Sequence, residues 1–229
     1  MPKWTSAGTV KAAQNQSIKV LTSGTTTLTS ENLTEVKNLV NKAVEILDVC
    51  DRVTANYDKL PKQVNEVARN FFVLDDDLTQ DQLLEIRAVL TLTRNGLANP
   101  NGLNLKFGNF PPRSTGSTAG YVNVHSGKKA AVQSVVKRNW TRISRPTGTV
   151  YKGDIHINAN KLGDFGAEAT LIHEATHKFA DTKDFDERGY TYSNSPKQFR
   201  DEGLTTEEAF QNAESYAQFF VHVWLNTEL

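Results

Sequence analysis

Leu171-Ile172-His173-Glu174-Ala175-Thr176-His177 is the stretch on which the reading of the whole chain turns. It has the form H-E-x-x-H inside an apolar-flanked run of helical character. Two histidines four residues apart lie one above the other on the same face of an α-helix. Their imidazole nitrogens can therefore reach a single metal ion. Glu174, next to His173, is placed to polarise a water held by that ion. Zn²⁺, one per chain, is the expected metal, because paired neutral imidazoles suit it and hydrolysis calls for a redox-silent Lewis acid. The same short pattern also arises in helices whose histidines are ordinary core or surface residues. Context must therefore supply a third ligand and a substrate cleft.

Just ahead of the motif, Asp154-Ile155-His156-Ile157-Asn158 alternates polar and apolar residues, as a strand does. Gly163 and Asp164 then mark the start of the motif helix, with Asp164 as its N-cap. A strand leading by a short turn into an H-E-x-x-H helix is the zincin arrangement, in which an edge strand beside the metal pairs with an extended peptide. His156 on this strand reads as a surface residue, or one that supports a ligand, rather than as a ligand. Tyr121-Val122-Asn123-Val124-His125 alternates in the same way. Between these strands, Lys128, Lys129, Lys137, Arg138, Arg142, Arg145 and Lys152 occur without an acid. A solvated charged face is the preferred reading of that stretch over an acid- or phosphate-binding face. Only Trp140 and Tyr151 interleave it, too few for a nucleic-acid stacking platform.

Upstream the pattern is helical. Ser30 reads as an N-cap, followed by Leu33, Val36, Val40, Ala43, Leu47 and Cys50 at spacings of three and four. A second helix is expected from Pro61, with Val64, Val67, Ala68 and Phe71 on one side. Asp75-Asp76-Asp77 reads as a solvated turn. Thr79 and Gln82 form a capping box for a third helix, which Gly96 is placed to end. Residues 97–118 are loop-like. Residues 1–30 are rich in Ser, Thr and Gly and read as a lead-in or linker, with a short strand near Ile18-Lys19-Val20-Leu21. Residues 31–229 then form one domain. The expected class is α+β, mainly helical, with a small mixed sheet next to the H-E-x-x-H helix.

Composition sets the outer bounds. Lys+Arg 26 balance Asp+Glu 26, so no global charge points to nucleic acid or to a membrane surface. No apolar run approaches the roughly 20 residues of a transmembrane helix. The segment Met1-Pro2-Lys3-Trp4-Thr5-Ser6 lacks the apolar region of a secretory signal, so the expectation is a chain cytoplasmic as made, with signal-independent export as a possible route. Cys50, the one cysteine, falls on an apolar helical stripe and reads as a small core residue.

No third histidine follows at the spacing that would complete a three-histidine site. A catalytic zinc takes three protein ligands and keeps one position open, so either a carboxylate completes the set or the metal has only two protein ligands. Asp181, Asp184 and Asp186 offer one source just after the helix. Glu214, in Asn212-Ala213-Glu214-Ser215-Tyr216, offers another from a later helix. That later helix is expected to run from Thr205, capped by Thr205 with Glu208, through Ala209, Phe210, Ala213, Ala217, Phe220, Val221 and Trp224. It is expected to cross the motif helix as a cleft floor. His222 on it reads as a core or surface residue.

Taken together, His173-Glu174-Ala175-Thr176-His177-Lys178-Phe179, Thr182-Lys183-Asp184 and Asn212-Ala213-Glu214-Ser215-Tyr216 with Phe219 resemble the aspzincins, the deuterolysin and peptidyl-Lys metalloendopeptidase group and its bacterial relatives. The resemblance covers roughly residues 31–222. It implies a zincin-like fold, a zinc endopeptidase acting on protein or peptide, and Asp184 as the third ligand, with Asp186 and then Glu214 behind it. The chain departs from the family where a tyrosine would follow the aspartate by three residues: Glu187 stands there, and Tyr190 and Tyr192 come later. Either tyrosine is a candidate to stabilise the negative oxygen of the transition state. In the lysine-preferring members, acids on the later helix receive a substrate lysine. Glu214 keeps one acid, but Ala217 stands where a second is needed, so strict lysine specificity is not implied. Glu214 is then expected to orient a ligating histidine or to line the substrate pocket.

The expected chemistry is peptide hydrolysis with Glu174 as general base and then acid, in a secreted effector or toxin. Two alternatives use the same residues differently: a zinc amidase acting on cell-wall peptides, and a non-catalytic binding module that uses the basic stretch 128–152. No nucleic-acid or membrane partner is expected, and no oligomeric state follows from the sequence.

Overall fold

The computed structural model describes residues 4–11, 17–23, 26–98, 104–108, 119–126, 149–163, 166–190 and 198–227. Five strands form one mixed sheet: β1 (Trp4–Lys11), β2 (Ser17–Ser23), β3 (Asn104–Gly108), β4 (Gly120–Ser126) and β5 (Thr149–Asn158). Their spatial order is β1-β2-β3-β5-β4. The two outer pairs, β1 with β2 and β4 with β5, are antiparallel; β2–β3 and β3–β5 are parallel. The helices are α1 (Ser30–Val53), α2 (Lys62–Phe71), α3 (Gln80–Ala98), α4 (Ala167–Ala180), α5 (Gln198–Asp201), α6 (Thr206–Ala209) and α7 (Ala213–Thr227). The protein is α+β, with a small mixed sheet next to the H-E-x-x-H helix, α4. No described helix is long and apolar enough to cross a membrane.

One core joins sheet and helices. Alternation places Ile18 and Val20 of β2, Leu105 and Phe107 of β3, and Ile155 and Ile157 of β5 in it. The stripe of α1 supplies Val36, Val40, Ala43, Leu47 and Cys50, all fully buried. Cys50 donates its thiol hydrogen to the Phe220 carbonyl (3.2 Å), which fits a small core residue. The face expected for α2 (Val64, Val67, Ala68 and Phe71) is likewise buried. Arg87 bonds the Asp51 carboxylate at 3.0 Å and, with the Arg94–Asp48 pair, fastens α3 along α1.

Several expectations need correction. The segment expected as a lead-in contributes β1 beside the expected strand at 18–21, which is β2, and Val10, Ile18 and Val20 belong to the same core as the helices. Pairing of β1 with β2 across a bulge at Gly8 orders a stretch whose composition alone reads as low in structure. The cap of α1 is Thr29, whose hydroxyl accepts from the Asn32 N–H while the Asn32 side chain accepts from the Thr29 N–H. Pro61 takes the cap position of α2 rather than its first turn. The Thr79–Gln82 box forms as expected. Gly96 does not end α3, which continues to Ala98; a Cβ at Gly96 would lie 2.3 Å from Cγ of Phe179, so the glycine lets α3 and α4 approach. β5 is not an edge strand, because β4 pairs with its outer side. Finally, the single C-terminal helix is two, α6 and α7, with a break at Phe210–Asn212.

Candidate metal centre

α4 carries the motif in its buried middle: His173, Glu174, Ala175, Thr176 and His177 are all buried. Gly166 holds the position before its first residue, with φ +90, and Asp164 lies outside the described residues. The helix ends at Asp181, which adopts a left-handed conformation (φ 56). Aspartate tolerates that region better than most residues with a Cβ. The turn sends the chain back along the last turn of the helix. Thr182 is thereby buried against it: its hydroxyl lies 2.8 Å from the Thr176 hydroxyl, and its carbonyl 2.9 Å from Nδ1 of His177. Lys183 then forms a two-residue parallel bridge with Asn212. Its N–H donates to the Gln211 carbonyl (2.8 Å), and its carbonyl accepts from the Ala213 N–H (2.9 Å).

This route places Asp184 over the histidines. Its Oδ1 lies 3.1 Å from Nε2 of His177 and 3.2 Å from Nε2 of His173, and the two Nε2 atoms are 3.1 Å apart. The tautomers follow from the outer partners. The Thr182 carbonyl can only accept, so Nδ1 of His177 carries hydrogen. Nδ1 of His173 faces the Glu214 carboxylate at 2.8 Å, which also accepts. In their neutral forms both rings therefore turn a bare Nε2 lone pair toward the carboxylate oxygen of Asp184. Three acceptors converging in this way call for a positive charge among them. Ligands about 2.0–2.2 Å from a tetrahedral zinc lie roughly 3.3 Å from one another, close to the three separations here. His173, His177 and Asp184 are the described residues that can hold a metal ion.

The electrostatics point the same way. Burial lowers the basicity of His173, but its hydrogen bonds to Asp184 and Glu214 outweigh this and raise its pKa well above the ordinary value. A field that favours a proton there also favours a metal cation, and the two compete. Burial works against the Asp184 carboxylate, yet the two histidines hold its pKa below the usual carboxylate range. Burial raises the pKa of Glu174, and the nearby His173 and His177 offset only part of this. Glu174 is 5 % exposed, and its Oε2 has no hydrogen-bond partner. Burying such an oxygen unpaired is costly, and a bound water that donates to it would offset that cost.

Neither a protein-family model nor a curated protein matches this chain.

The other expected site residues fall in different places. Glu214, in the first turn of α7, contacts His173 and is not part of the converging set. Its Oε2 meets His173, and its Oε1 accepts from Nε2 of Gln218 (2.8 Å), so both carboxylate oxygens are engaged inside the protein. Ala217 is fully buried. Asp186 sits exposed at a left-handed position (φ 47) opening a short turn, Asp186–Gly189, and does not join the converging set. Tyr190 follows that turn. Its ring stacks on His173 (centroids 5.7 Å apart, planes 17° apart). Burial, the Asp184 charge and a hydrogen bond to Asp184 all raise its hydroxyl pKa, so it remains a donor. Tyr192 lies outside the described residues, as does most of the basic stretch 128–152. His156 corrects the surface expectation: it is 2 % exposed, stacked on Tyr121 (4.2 Å) with Trp4 edge-on (5.1 Å). His222 is half-buried against Phe71.

Three contributors escaped the sequence reading. The Thr182 carbonyl fixes a tautomer, yet a backbone atom leaves no signature in residue identity. Gly120 of β4 lies against Glu174: a Cβ there would sit 2.9 Å from its Cγ and 3.0 Å from its Oε1. A glycine opening an alternating strand was the available signal. The third is Asn212, fully buried and bonded to the Gly189 carbonyl, a contact with no local pattern in the sequence.

Proposed function

We propose that the protein is a zinc-dependent peptidase of the aspzincin type, with a zincin-like arrangement of sheet and motif helix. The observation that carries this reading is the convergence of His173 Nε2, His177 Nε2 and Asp184 Oδ1 beside the unpartnered Oε2 of Glu174. Zinc, when bound by those three side chains, supplies a Lewis acid that activates water and polarises a carbonyl.

The protein's own groups do the rest. Glu174 takes the proton from the attacking water at its carboxylate and passes it to the nitrogen of the departing amine. Burial raises its pKa, which suits a group that must hold a proton briefly near neutral pH. Tyr190 keeps its hydroxyl hydrogen, which is directed at Asp184; on turning from that carboxylate it can donate to the oxygen on which charge develops. Glu214 fixes the ring of His173 through Nδ1, which sets its tautomer and raises its basicity. Glu214 is already engaged with His173 and Gln218, and Ala217 stands where a second acid is needed, so no preference for lysine is proposed. β4 is the edge of the sheet among the described strands and passes beside Glu174, so an extended peptide can pair along it.

The test is a metal and activity measurement on one preparation. One zinc per chain is expected, with cleavage of a mixed peptide library that a chelator abolishes. Glu174→Gln should keep the zinc and lose about 10²–10⁴-fold in rate. Cleavage by Glu174→Gln at the wild-type rate would sink the mechanism. Cleavage of cell-wall peptides alone would move the assignment to an amidase.

A further inference from the structure

Asn212 is fully buried at the break between α6 and α7. Its side-chain nitrogen donates to the Gly189 carbonyl (2.9 Å) and approaches the Ser215 hydroxyl (3.0 Å). The Gly189 carbonyl can only accept, so the nitrogen, not the oxygen, must face it. Oδ1 is then buried without a hydrogen-bond partner. It lies 2.9 Å from where a Cβ on Gly189 would be, so the glycine packs directly against the amide. The peptides on either side of it make the bridge to Lys183: the Lys183 N–H donates to the Gln211 carbonyl, and the Lys183 carbonyl accepts from the Ala213 N–H. Tyr216 braces the break from the other side by donating its hydroxyl to the Phe210 carbonyl (2.7 Å).

These contacts lie within one or two residues of groups at the metal centre. Lys183 precedes Asp184, Gly189 precedes Tyr190, and Asn212 itself stands two residues before Glu214. The loop bearing Asp184, the turn leading to Tyr190 and the first turn of α7 share no regular hydrogen-bonded element. They meet at Asn212.

We propose that Asn212 is a positioning residue for the metal centre, holding Asp184, Tyr190 and Glu214 in register with the two histidines of α4. This rests on the metal-site reading above. Asn212 touches neither metal nor substrate; it acts by fixing the backbone on either side of those that do. Gly189 is the other half of the device, because any side chain there would push the amide away.

The test measures zinc affinity, by competition with a chromophoric chelator, on protein shown to be folded. The d–d spectrum of the cobalt-substituted protein is read alongside. Asn212→Ala should weaken zinc binding by about 10- to 100-fold, as loss of groups supporting a metal ligand does, and should alter the cobalt spectrum. Asn212→Asp keeps the shape but replaces the donor facing Gly189 by an acceptor, and should weaken binding in the same sense. Gly189→Ala approaches the same contact from the loop and should do likewise, which keeps the test open should Asn212→Ala fail to fold. Val64→Ala, in the core beneath α2, is the control: it should lower the melting temperature and leave zinc affinity and the cobalt spectrum unchanged. Folded Asn212 variants that bind zinc within two-fold of wild type, with an unchanged cobalt spectrum, would overturn the proposal while leaving the metal site standing. Wild-type protein that binds no zinc would overturn both.

Discussion

Replacing Gly96 by alanine should destabilise the protein, although the same change in an exposed helix would stabilise it. Alanine is favoured over glycine in a helix interior by about 1 kcal/mol, and Gly96 lies inside α3. Against this, the new Cβ would fall 2.3, 2.4 and 2.5 Å from Cγ, Cδ2 and Cδ1 of Phe179. Carbon atoms pack at about 3.5–4.0 Å, so the contact must open by more than about 1 Å. The nearest atom is Cγ, the root of the ring, and rotating the ring about its own axis does not move it. Phe179 must change its side-chain rotamer, or α4 must shift away from α3. Overpacking of this kind costs about 1–3 kcal/mol and occasionally more. With three ring atoms struck at once, the upper part of that range applies, and a net loss of about 1–2 kcal/mol remains after the propensity gain. For a chain of this size that lowers Tm by about 2–4 °C per kcal/mol. Because Phe179 follows His177 by two residues on α4, zinc affinity should fall as well. The assay is urea and thermal denaturation of Gly96→Ala, Phe179→Ala and the double variant. Once the ring is gone, Gly96→Ala should stabilise by about 1 kcal/mol, so the cycle should show strong coupling. A Gly96→Ala protein as stable as wild type, or more so, would refute the packing of α3 on α4 and the account of why a glycine lies within α3.

Other perturbations address the centre and the sheet. Glu214→Ala should leave His173 without its Nδ1 partner and weaken zinc binding by about 10- to 100-fold, read by chelator competition; an unchanged affinity would show that this carboxylate does not support the ligand. Gly120→Ala should retain zinc but lose about 10²-fold in peptide cleavage, since a methyl group about 3 Å from the Glu174 carboxylate displaces the base, and displacements on the order of 1 Å cost that much; unaltered kinetics would mean that Glu174 has room to spare. Burial, with a smaller contribution from Lys106, lowers the His156 pKa to about 4 against an unfolded value of 6.5. Its folded pKa is depressed, so the unfolded chain binds the extra proton between those values. The stability His156 contributes is present above about pH 6.5 and is lost as pH falls toward 4, by about 3 kcal/mol at most. Denaturation curves across that window should show the slope, and His156→Phe, which keeps the stack on Tyr121, should flatten it. An NMR titration placing the His156 pKa near 6.5 would contradict the buried stack.

What was legible in the sequence follows the range of the interactions. The stripe of α1 and the capping box at Thr79–Gln82 are written within one or two helical turns, and they appear where the residues placed them. The strands at 121–125 and 154–158 are carried by alternation, and both form. β1 was not legible, since Thr5-Ser6-Ala7-Gly8-Thr9 has no apolar alternation of its own and depends on pairing with β2 across the Gly8 bulge. Gly96 is ambiguous for a related reason. A glycine that ends a helix and one that admits a neighbouring ring look alike in a single sequence. At the centre, His173, Glu174 and His177 are read from helix geometry alone. The choice among Asp184, Asp186 and Glu214 was not open to that kind of reading, because the deciding elements are the left-handed turn at Asp181 and the bridge from Lys183 to Asn212, 29 positions further along by numbering.

The break in the C-terminal helix and the position of Asp184 are one structural event. Ala209, Phe210, Ala213, Ala217 and Phe220 mark a continuous apolar face, and no proline or glycine interrupts residues 205–224. Local propensity therefore favours a single helix. In a continuous helix the Ala213 N–H would donate to the Ala209 carbonyl, and the Gln211 carbonyl would accept from the Ser215 N–H. Instead the Ala213 N–H donates to the Lys183 carbonyl, and the Gln211 carbonyl accepts from the Lys183 N–H. Both groups keep a backbone partner, and the Ala209 carbonyl accepts from the Asn212 N–H (3.2 Å) instead, so the break costs little hydrogen bonding. What it changes is geometry. The Lys183 peptide gains a fixed seat, which holds the next residue against two imidazoles on another helix. A continuous helix would leave the N–H and carbonyl of Lys183 without those partners beside a buried Thr182, and Asp184 without an anchored backbone. The same residues that make the helix locally favourable thus give way where a loop with no secondary structure of its own needs backbone partners.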